Sequence, residues 1–405
     1  MTRITGKLPP IFSQIYKIPM KLRSDFLPYA LPSLSHEEAD AVVRILQSGW
    51  LTTGKETKTF EKEFAAFTGT EHALGVSSCT AALHLALMCA GVGPGDEVIT
   101  TPLTFAATVN QIIHCGAVPV LTDIDPLTLN INPSLIEAVI TPRTKAVIAV
   151  HFAGLPADMA AINRIAQKNG LTVIEDAAHA AGSSLNAVKC GALSPYGCFS
   201  FYATKNCTTG EGGMLTFRNA TLYEKAGELA LHGITRDAWK RYHADGNWQY
   251  DINHAGYKYN MTDIEAAIGR VQLKKLDGFN DIRRAYAAQY DDSFKDLDFK
   301  RPVTPSGVTH STHLYTIRVN RALHSIHRND FINILKTKYK IGTAVHFIPV
   351  NQFTFYRNYF KKNGGQPHLP VSDAIADELV SLPLYPAMTP GDIEYVHRAV
   401  CEIVG

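Results

Sequence analysis

Lys205, in Phe199-Ser200-Phe201-Tyr202-Ala203-Thr204-Lys205-Asn206, follows one short apolar run, and Asp176 closes another, Val173-Ile174-Glu175-Asp176-Ala177-Ala178-His179. A lysine amine can hold an aldehyde as a Schiff base, and an aspartate placed opposite can keep a pyridine nitrogen protonated so that the ring withdraws electrons. Together the two segments read as a pyridoxal phosphate site with Lys205 and Asp176 as its catalytic pair. Neither says so alone. A lysine after a strand is usually a solvated loop residue, and an aspartate ending a strand is often only a helix cap.

A phosphorylated cofactor needs an anion cradle. Ser77-Ser78-Cys79-Thr80-Ala81-Ala82 sits where a strand predicted over 72–76 gives way to a helix predicted over 81–90. Free amides at a helix start, with hydroxyls beside them, suit a phosphate; a capped helix start without a ligand is the competing reading. Ser200 alternates inward on the strand before Lys205, as a further donor or as a satisfied core hydroxyl. Pro102-Leu103-Thr104-Phe105-Ala106-Ala107-Thr108 puts one ring, Phe105, at the carboxyl edge of a strand, where ligands of α/β proteins bind. It can stack on a pyridine ring or be plain core.

These residues need a scaffold of strand ends. Apolar or β-branched runs recur at 72–76, 97–101, 118–121, 146–152, 171–174, 198–201 and 213–217, and read as strands of a buried, largely parallel sheet. Helix-length stretches at 81–90, 133–140 and 159–168 provide the crossovers. Ser35 and Glu38 form a capping-box pattern ahead of the first helix. After about Leu276 the rhythm changes to a helix over 281–297, a Pro/Gly/Thr-rich stretch over 301–311 and a strand over 314–319. Thr389-Pro390-Gly391-Asp392 announces a final helix to Val404. The reading is an α/β chain with an N-terminal extension (1–34), a large cofactor-binding domain (35–275) and a smaller C-terminal α+β domain (276–405).

Composition fits an ordinary globular enzyme. Of 405 residues, 46% are hydrophobic and 19% charged, and the formal charge of +2 comes from 39 basic and 37 acidic residues that are interspersed. No basic face of the kind a nucleic-acid binder needs is evident. The seven cysteines are scattered without a C-x-x-C pair, which argues against a disulfide framework or a zinc site and for reduced, cytoplasmic thiols. The first 27 residues lack the apolar core of a signal peptide, and no run approaches the length needed to span a bilayer.

The ordered set Val76-Ser77-Ser78-Cys79-Thr80-Ala81-Ala82-Leu83, Gly95-Asp96-Glu97-Val98-Ile99, Thr104-Phe105, Glu175 to His179, and Ser200 to Lys205 with Gly210-Glu211-Gly212-Gly213 resembles the DegT/DnrJ/EryC1/StrS family of pyridoxal phosphate-dependent sugar aminotransferases. The resemblance runs from about Phe26 to Val404, taking in Gly49-Trp50-Leu51-Thr52-Thr53-Gly54 and Ser381-Leu382-Pro383-Leu384-Tyr385-Pro386. Val150 to Asp158 and Gly256 to Asp263 look closest to the branch that aminates a UDP-4-keto-pentose for lipid A modification.

The resemblance implies aminotransferase fold type I, with a mainly parallel seven-stranded sheet, and a homodimer with shared active sites. It implies Lys205 as Schiff-base lysine, Asp176 as pyridinium partner, Phe105 as stacking ring, His179 near the cofactor hydroxyl, and Cys79, Thr80, Ala81 and Ser200 around the phosphate. Many members read Asn-aromatic-Arg where this chain has Lys258-Tyr259-Asn260, a segment that in the family reaches the partner's site; whether Lys258 or Asn260 meets the phosphate is open.

The activity implied is transfer of an amino group from glutamate to a keto sugar, nucleotide-linked by analogy, in polysaccharide or lipopolysaccharide biosynthesis. A free keto sugar acid such as an oxidised octulosonate is the alternative. The family's dehydratases lack the lysine that Lys205 supplies, and a non-catalytic scaffold would show degenerate site positions. The loops at 50–55, 239–248 and 345–355 are expected to shape the sugar pocket, with His346 and Lys55 facing a phosphate, a carboxylate or solvent. Proton transfer by Lys205 needs an amine pKa below the usual lysine value, which cationic and apolar neighbours would supply.

Overall fold

The computed structural model describes residues 20–234 and 250–405. The strands among them are β1 (His72–Val76), β2 (Glu97–Thr100), β3 (Val118–Leu121), β4 (Thr144–Val150), β5 (Thr172–Asp176), β6 (Ser184–Leu185), β7 (Val188–Lys189), β8 (Tyr196–Ser200), β9 (Gly213–Phe217), β10 (Val308–Thr309), β11 (Tyr315–Arg318) and β12 (Leu379–Leu382). Seven of them form one sheet in the order β1-β9-β8-β5-β4-β2-β3. β9 alone runs against its neighbours; β8, β5, β4, β2 and β3 pair in parallel. The carboxyl ends of β1, β2, β5 and β8 and the start of β9 therefore share one edge. β2 and β9 are buried at every position, as a sheet covered on both faces requires.

Helices cover this sheet. The helix Cys79–Cys89 packs Leu83, Leu85 and Leu87 onto Val98, Ile148, Ile174 and Leu215 in the largest core cluster. On the other side Phe60, Phe64, Phe199 and Phe201 form a tilted and edge-on aromatic stack. A separate cluster, including Tyr290, Tyr315, Phe331, Tyr339 and Val396, surrounds the β11·β12 pair.

The capping box expected at Ser35/Glu38 is present and opens the helix His36–Ser48, and the helix start expected at Thr389–Asp392 also forms a capping box, opening Pro390–Val404. Two helix expectations need correction. The stretch 133–140 forms only the 3₁₀ turns Pro133–Leu135 and Glu137–Val139, because Pro133 fixes the start and Pro142 forces Thr141 out of helix, leaving too few residues for an α-helix. The helix expected over 281–297 is the second half of a 31-residue helix, Asp263–Ser293, opened by a capping box of Thr262 with Glu265. Position 275 lies inside it.

That long helix also caps another element. Gly54 gives the helix Lys55–Thr68 no side-chain cap. Asp263 takes over: its Oδ1 accepts from Gly54 N (2.7 Å), Thr57 N (2.9 Å) and Thr57 Oγ1 (2.6 Å), and its Oδ2 from Glu56 N (3.2 Å). Asp263→Ala leaves these donors buried or half-buried without an acceptor and is expected to lower stability by about 2–3 kcal/mol, read as a lower urea midpoint at unchanged slope. An unchanged midpoint would show that the cap is dispensable.

Candidate active site

A cavity of about 490 Å³ opens at the carboxyl edge of the large sheet, within the size range of small-molecule sites. Lys205, Asp176, His179, Ser200, Phe105, Cys79 and Thr80 all line it. A larger cavity of about 760 Å³, near Arg284, Asp291 and Arg301 and behind the segment His310–Tyr315, contains none of the residues singled out from sequence. The smaller one carries the chemistry.

Lys205 is half-buried and sits on a tight turn after β8, where its own N–H donates to Tyr202 O (2.9 Å). The next residue pins that turn. Asn206, 5% exposed, donates from Nδ2 to Asn280 Oδ1 (2.7 Å) and Ser311 O (2.9 Å), and its Oδ1 pairs with His313 Nδ1 (2.8 Å). The Lys205 amine has no hydrogen-bond or ion-pair partner among the described residues. Burial lowers its pKa to about 8, while nearby Cys79 and Asp176 pull it back up. Burial alone thus provides the shift, and the cationic neighbours expected to assist are replaced by groups that oppose it.

Asp176 is 5% exposed at the end of β5. Its Oδ2 accepts from Thr108 Oγ1 (2.7 Å) and its Oδ1 from Ala178 N (3.2 Å), with Cys79 Sγ at 4.0 Å. Burial raises its pKa, against the hydrogen bonds from Thr108 and Ala178 and the charge of Lys205. The preceding residue points to the other side of the sheet, as strand alternation requires. Glu175 accepts from Gly191, Leu193 and Ser194 N–H and meets His151 Nε2 at 3.0 Å, while His151 Nδ1 accepts from Ala157 N (3.1 Å). That pair, with Cys190 beside it, is a saturated structural cluster.

The anion cradle follows from helix geometry. Ser78 Oγ accepts from Ala81 N (3.1 Å), and Ala82 N donates to Ser78 O, which leaves the N–H groups of Cys79 and Thr80 without partners among the described residues. Ala81 therefore spends its amide on the cap. Gly213 lets β9 close against this helix start: a Cβ there would lie 2.4 Å from Ser78 C and 2.6 Å from Cys79 N. His179 is buried with Nδ1 unpartnered, and burial holds its pKa well below the usual imidazole value, so it is neutral. A hydroxyl-bearing, phosphorylated ring supplies what the cradle and this orphaned nitrogen lack, so the residues present fit pyridoxal phosphate.

Phe105 is 67% exposed at the cavity rim, which excludes a core role. The far wall comes from beyond residue 300. Phe347 stacks on His179 (5.8 Å between ring centres), His313 lies 4.4 Å from His179, and His346, with its pKa lowered by burial to about 4, joins them. From the 345–355 loop, His346 and Phe347 line the cavity. Lys55 opens the helix Lys55–Thr68, away from the cavity, and the 239–248 loop lies outside the described residues. Lys258 and Asn260 do not line their own chain's cavity; their side chains contact each other, and Asn260 Nδ2 donates to Thr53 Oγ1 (2.8 Å).

Thr108 and His313 escaped the sequence reading, and Phe347 was anticipated only as part of the 345–355 loop. Thr108 carried a signal, as a hydroxyl four residues after Thr104 on a predicted strand-end loop; His313 carried none, since only packing brings it against His179.

A mainly parallel seven-stranded sheet in this order, with a lysine and an aspartate facing one cavity at its carboxyl edge, has the architecture of aminotransferase fold type I. A family model described as the DegT/DnrJ/EryC1/StrS aminotransferase family matches residues 32–401. The spore coat polysaccharide biosynthesis protein SpsC of Bacillus subtilis is 47% identical over 383 residues, 94% of this chain and 98% of the relative. Spr1654 from Streptococcus pneumoniae in its PLP form superposes with a TM-score of 0.86 at 31% identity, over 94% of this chain and 99% of that one. DesI, solved in the presence of its TDP-sugar product, does so with a TM-score of 0.83 at 27% identity, over 96% and 95%. The chain belongs to the DegT/DnrJ/EryC1/StrS aminotransferase family, and it is a pyridoxal phosphate-dependent transaminase.

Proposed function

We propose that this enzyme moves an amino group from glutamate to a nucleotide-linked 4-keto sugar used in polysaccharide synthesis, with Lys205 and Asp176 as its catalytic residues. The observation that carries the reading is the Lys205 amine: it faces the cavity, has no hydrogen-bond or ion-pair partner among the described residues, and has its pKa lowered by burial to about 8, so that about a tenth of it is neutral and able to take a proton at pH 7. When bound, pyridoxal phosphate supplies a ring that accepts the electrons released at the substrate carbon.

With the cofactor in place, Lys205 would take the proton from that carbon and return it in the donor half-reaction, then do the reverse for the keto sugar. Asp176, ionised, would hold a proton on the pyridine nitrogen. The Cys79 and Thr80 amides with Ser200 would receive the phosphate, His179 would meet the ring hydroxyl, and Phe105 would cover one face of the ring. The nucleotide-linked acceptor is supported by the TDP-sugar product of DesI, and polysaccharide synthesis by the name of SpsC. A homodimer is part of the reading. It is supported by Lys258 and Asn260 lying outside their own cavity and by Phe105 and Tyr202 standing 67% and 48% exposed at its mouth.

The test offers the aminated form of the enzyme a panel of 4-keto sugars with UDP, GDP or TDP attached, alongside free keto sugar acids. Return of the visible spectrum to the aldehyde form with a nucleotide-linked sugar is the expected result. Return only with the free acids would overturn the substrate class.

A further inference from the structure

We propose that Thr108, itself held by Thr104, is a positioning residue for Asp176: its hydroxyl aims the carboxylate into the cavity and keeps it ionised there. The inference rests on the assignment of Asp176 as the partner of the cofactor's ring nitrogen. An ionised carboxylate can only accept, so Thr108 Oγ1, 2.7 Å from Asp176 Oδ2, must donate to it. Thr104 Oγ1 is 2.8 Å from Thr108 Oγ1, and since the Thr108 proton is committed, Thr104 must be the donor of that second bond. The result is a directed chain, Thr104 to Thr108 to Asp176, in which each bond polarises the next.

Both hydroxyls are buried, at 3% and 1% exposure, so water does not compete for them. The chain answers a physical difficulty. A carboxylate buried this deeply tends to pick up a proton, and a neutral acid would not hold a proton on a ring nitrogen.

The other titratable groups around Asp176 do less of that task than the Thr108 hydroxyl. Cys79 and Cys198 are kept as thiols by burial, and His151 and Glu175 are engaged with each other behind the strand. Lys205 must be neutral for part of each cycle. Ala178 N–H serves only Oδ1, at 3.2 Å. Thr108 is thus the side-chain donor to Oδ2, brought there because the helix Ala106–His114 starts directly beside the end of β5.

Thr108→Val keeps the shape and removes the hydroxyl; Thr108→Ser keeps the hydroxyl. The readouts are the nuclear magnetic resonance shift of the ring nitrogen, in enzyme loaded with cofactor isotopically labelled there, and the separate values of kcat and KM. Thr108→Val is expected to move the ring-nitrogen signal toward the unprotonated position and to lower kcat roughly 10–100-fold with little change in KM, the loss of one hydrogen bond to a charged group. Thr108→Ser should restore both. If Thr108→Val fails to fold, Thr104→Val, which weakens the same chain from its far end, should give a smaller displacement in the same direction.

Wild-type shift and kcat in a folded valine variant at either position, alongside an Asp176→Asn variant in which both change, would overturn the positioning role alone. An Asp176→Asn variant with an unmoved ring-nitrogen signal would instead overturn the parent assignment.

Discussion

Replacing Lys205 by alanine is expected to lower transamination by roughly 10⁴-fold, the full range of a positioned acid–base group. The effect is this large because nothing in the cavity can take over. His179, His313 and His346 are all held below the usual imidazole pKa by burial, which makes them weak bases, and their rings pack on one another and on Phe347. The variant should still fold, since the turn is anchored by Asn206 and not by the lysine side chain. Added methylamine should restore part of the rate by occupying the space the side chain leaves.

In the wild-type protein the same amine sets a pH dependence. Its pKa is lowered from the ordinary lysine value of 10.5 to about 8. Only the neutral amine attacks an aldehyde, so cofactor uptake by cofactor-free protein should slow as pH falls below about 8 and level off above it. Stopped-flow absorbance measures this directly. A Lys205→Ala variant retaining more than about a tenth of wild-type turnover, or uptake that keeps rising steeply to pH 10, would remove Lys205 from its role.

Asp176→Asn is the second large effect, expected to lower kcat by roughly 10²–10³-fold, the loss typical of one preorganised electrostatic contact. The amide keeps the shape and can still accept from Thr108, so the fold and the bound cofactor should survive. What disappears is the negative charge that makes a proton on the ring nitrogen favourable, and with it the ring's capacity to take up electrons. Burial magnifies the loss, because at 5% exposure water cannot substitute for the missing charge. Kinetics with and without a ring-methylated cofactor analogue, which carries a fixed positive charge, separate the two explanations. The analogue should recover much of the asparagine variant's rate; no recovery would mean that Asp176 acts in some other way.

Much of the sheet was legible because its strands are short, mostly buried and largely apolar runs, and because helix-start patterns such as Ser35/Glu38 and Thr389/Asp392 are local. The antiparallel course of β9 was not, since a run such as Gly213-Met214-Leu215-Thr216-Phe217 has the same composition in either direction. Helix length was misread where the signal was a boundary. Thr262 with Glu265 marked the start of the 31-residue helix, but the apolar stripe of its second half stood out alone.

At the site, Lys205, Asp176, Ser200, Cys79, Thr80 and Phe105 were read from residue types clustered at strand ends and a helix start, whereas His179 came from the family resemblance. The sequence by itself determined that an amine, a carboxylate, an anion cradle and an aromatic ring exist on such loops. Only the tertiary structure decided that they face one cavity, that burial and not a cationic neighbour lowers the Lys205 pKa, and that Asp176 takes its side-chain hydrogen bond from Thr108, 68 positions away. It also decided that Asp263 caps a helix 206 positions earlier and that His346 and Phe347 close the far wall. The physical reason is range. A motif records what a residue can do, whereas its pKa, partners and neighbours are set by packing between segments whose separation along the chain carries no local signal.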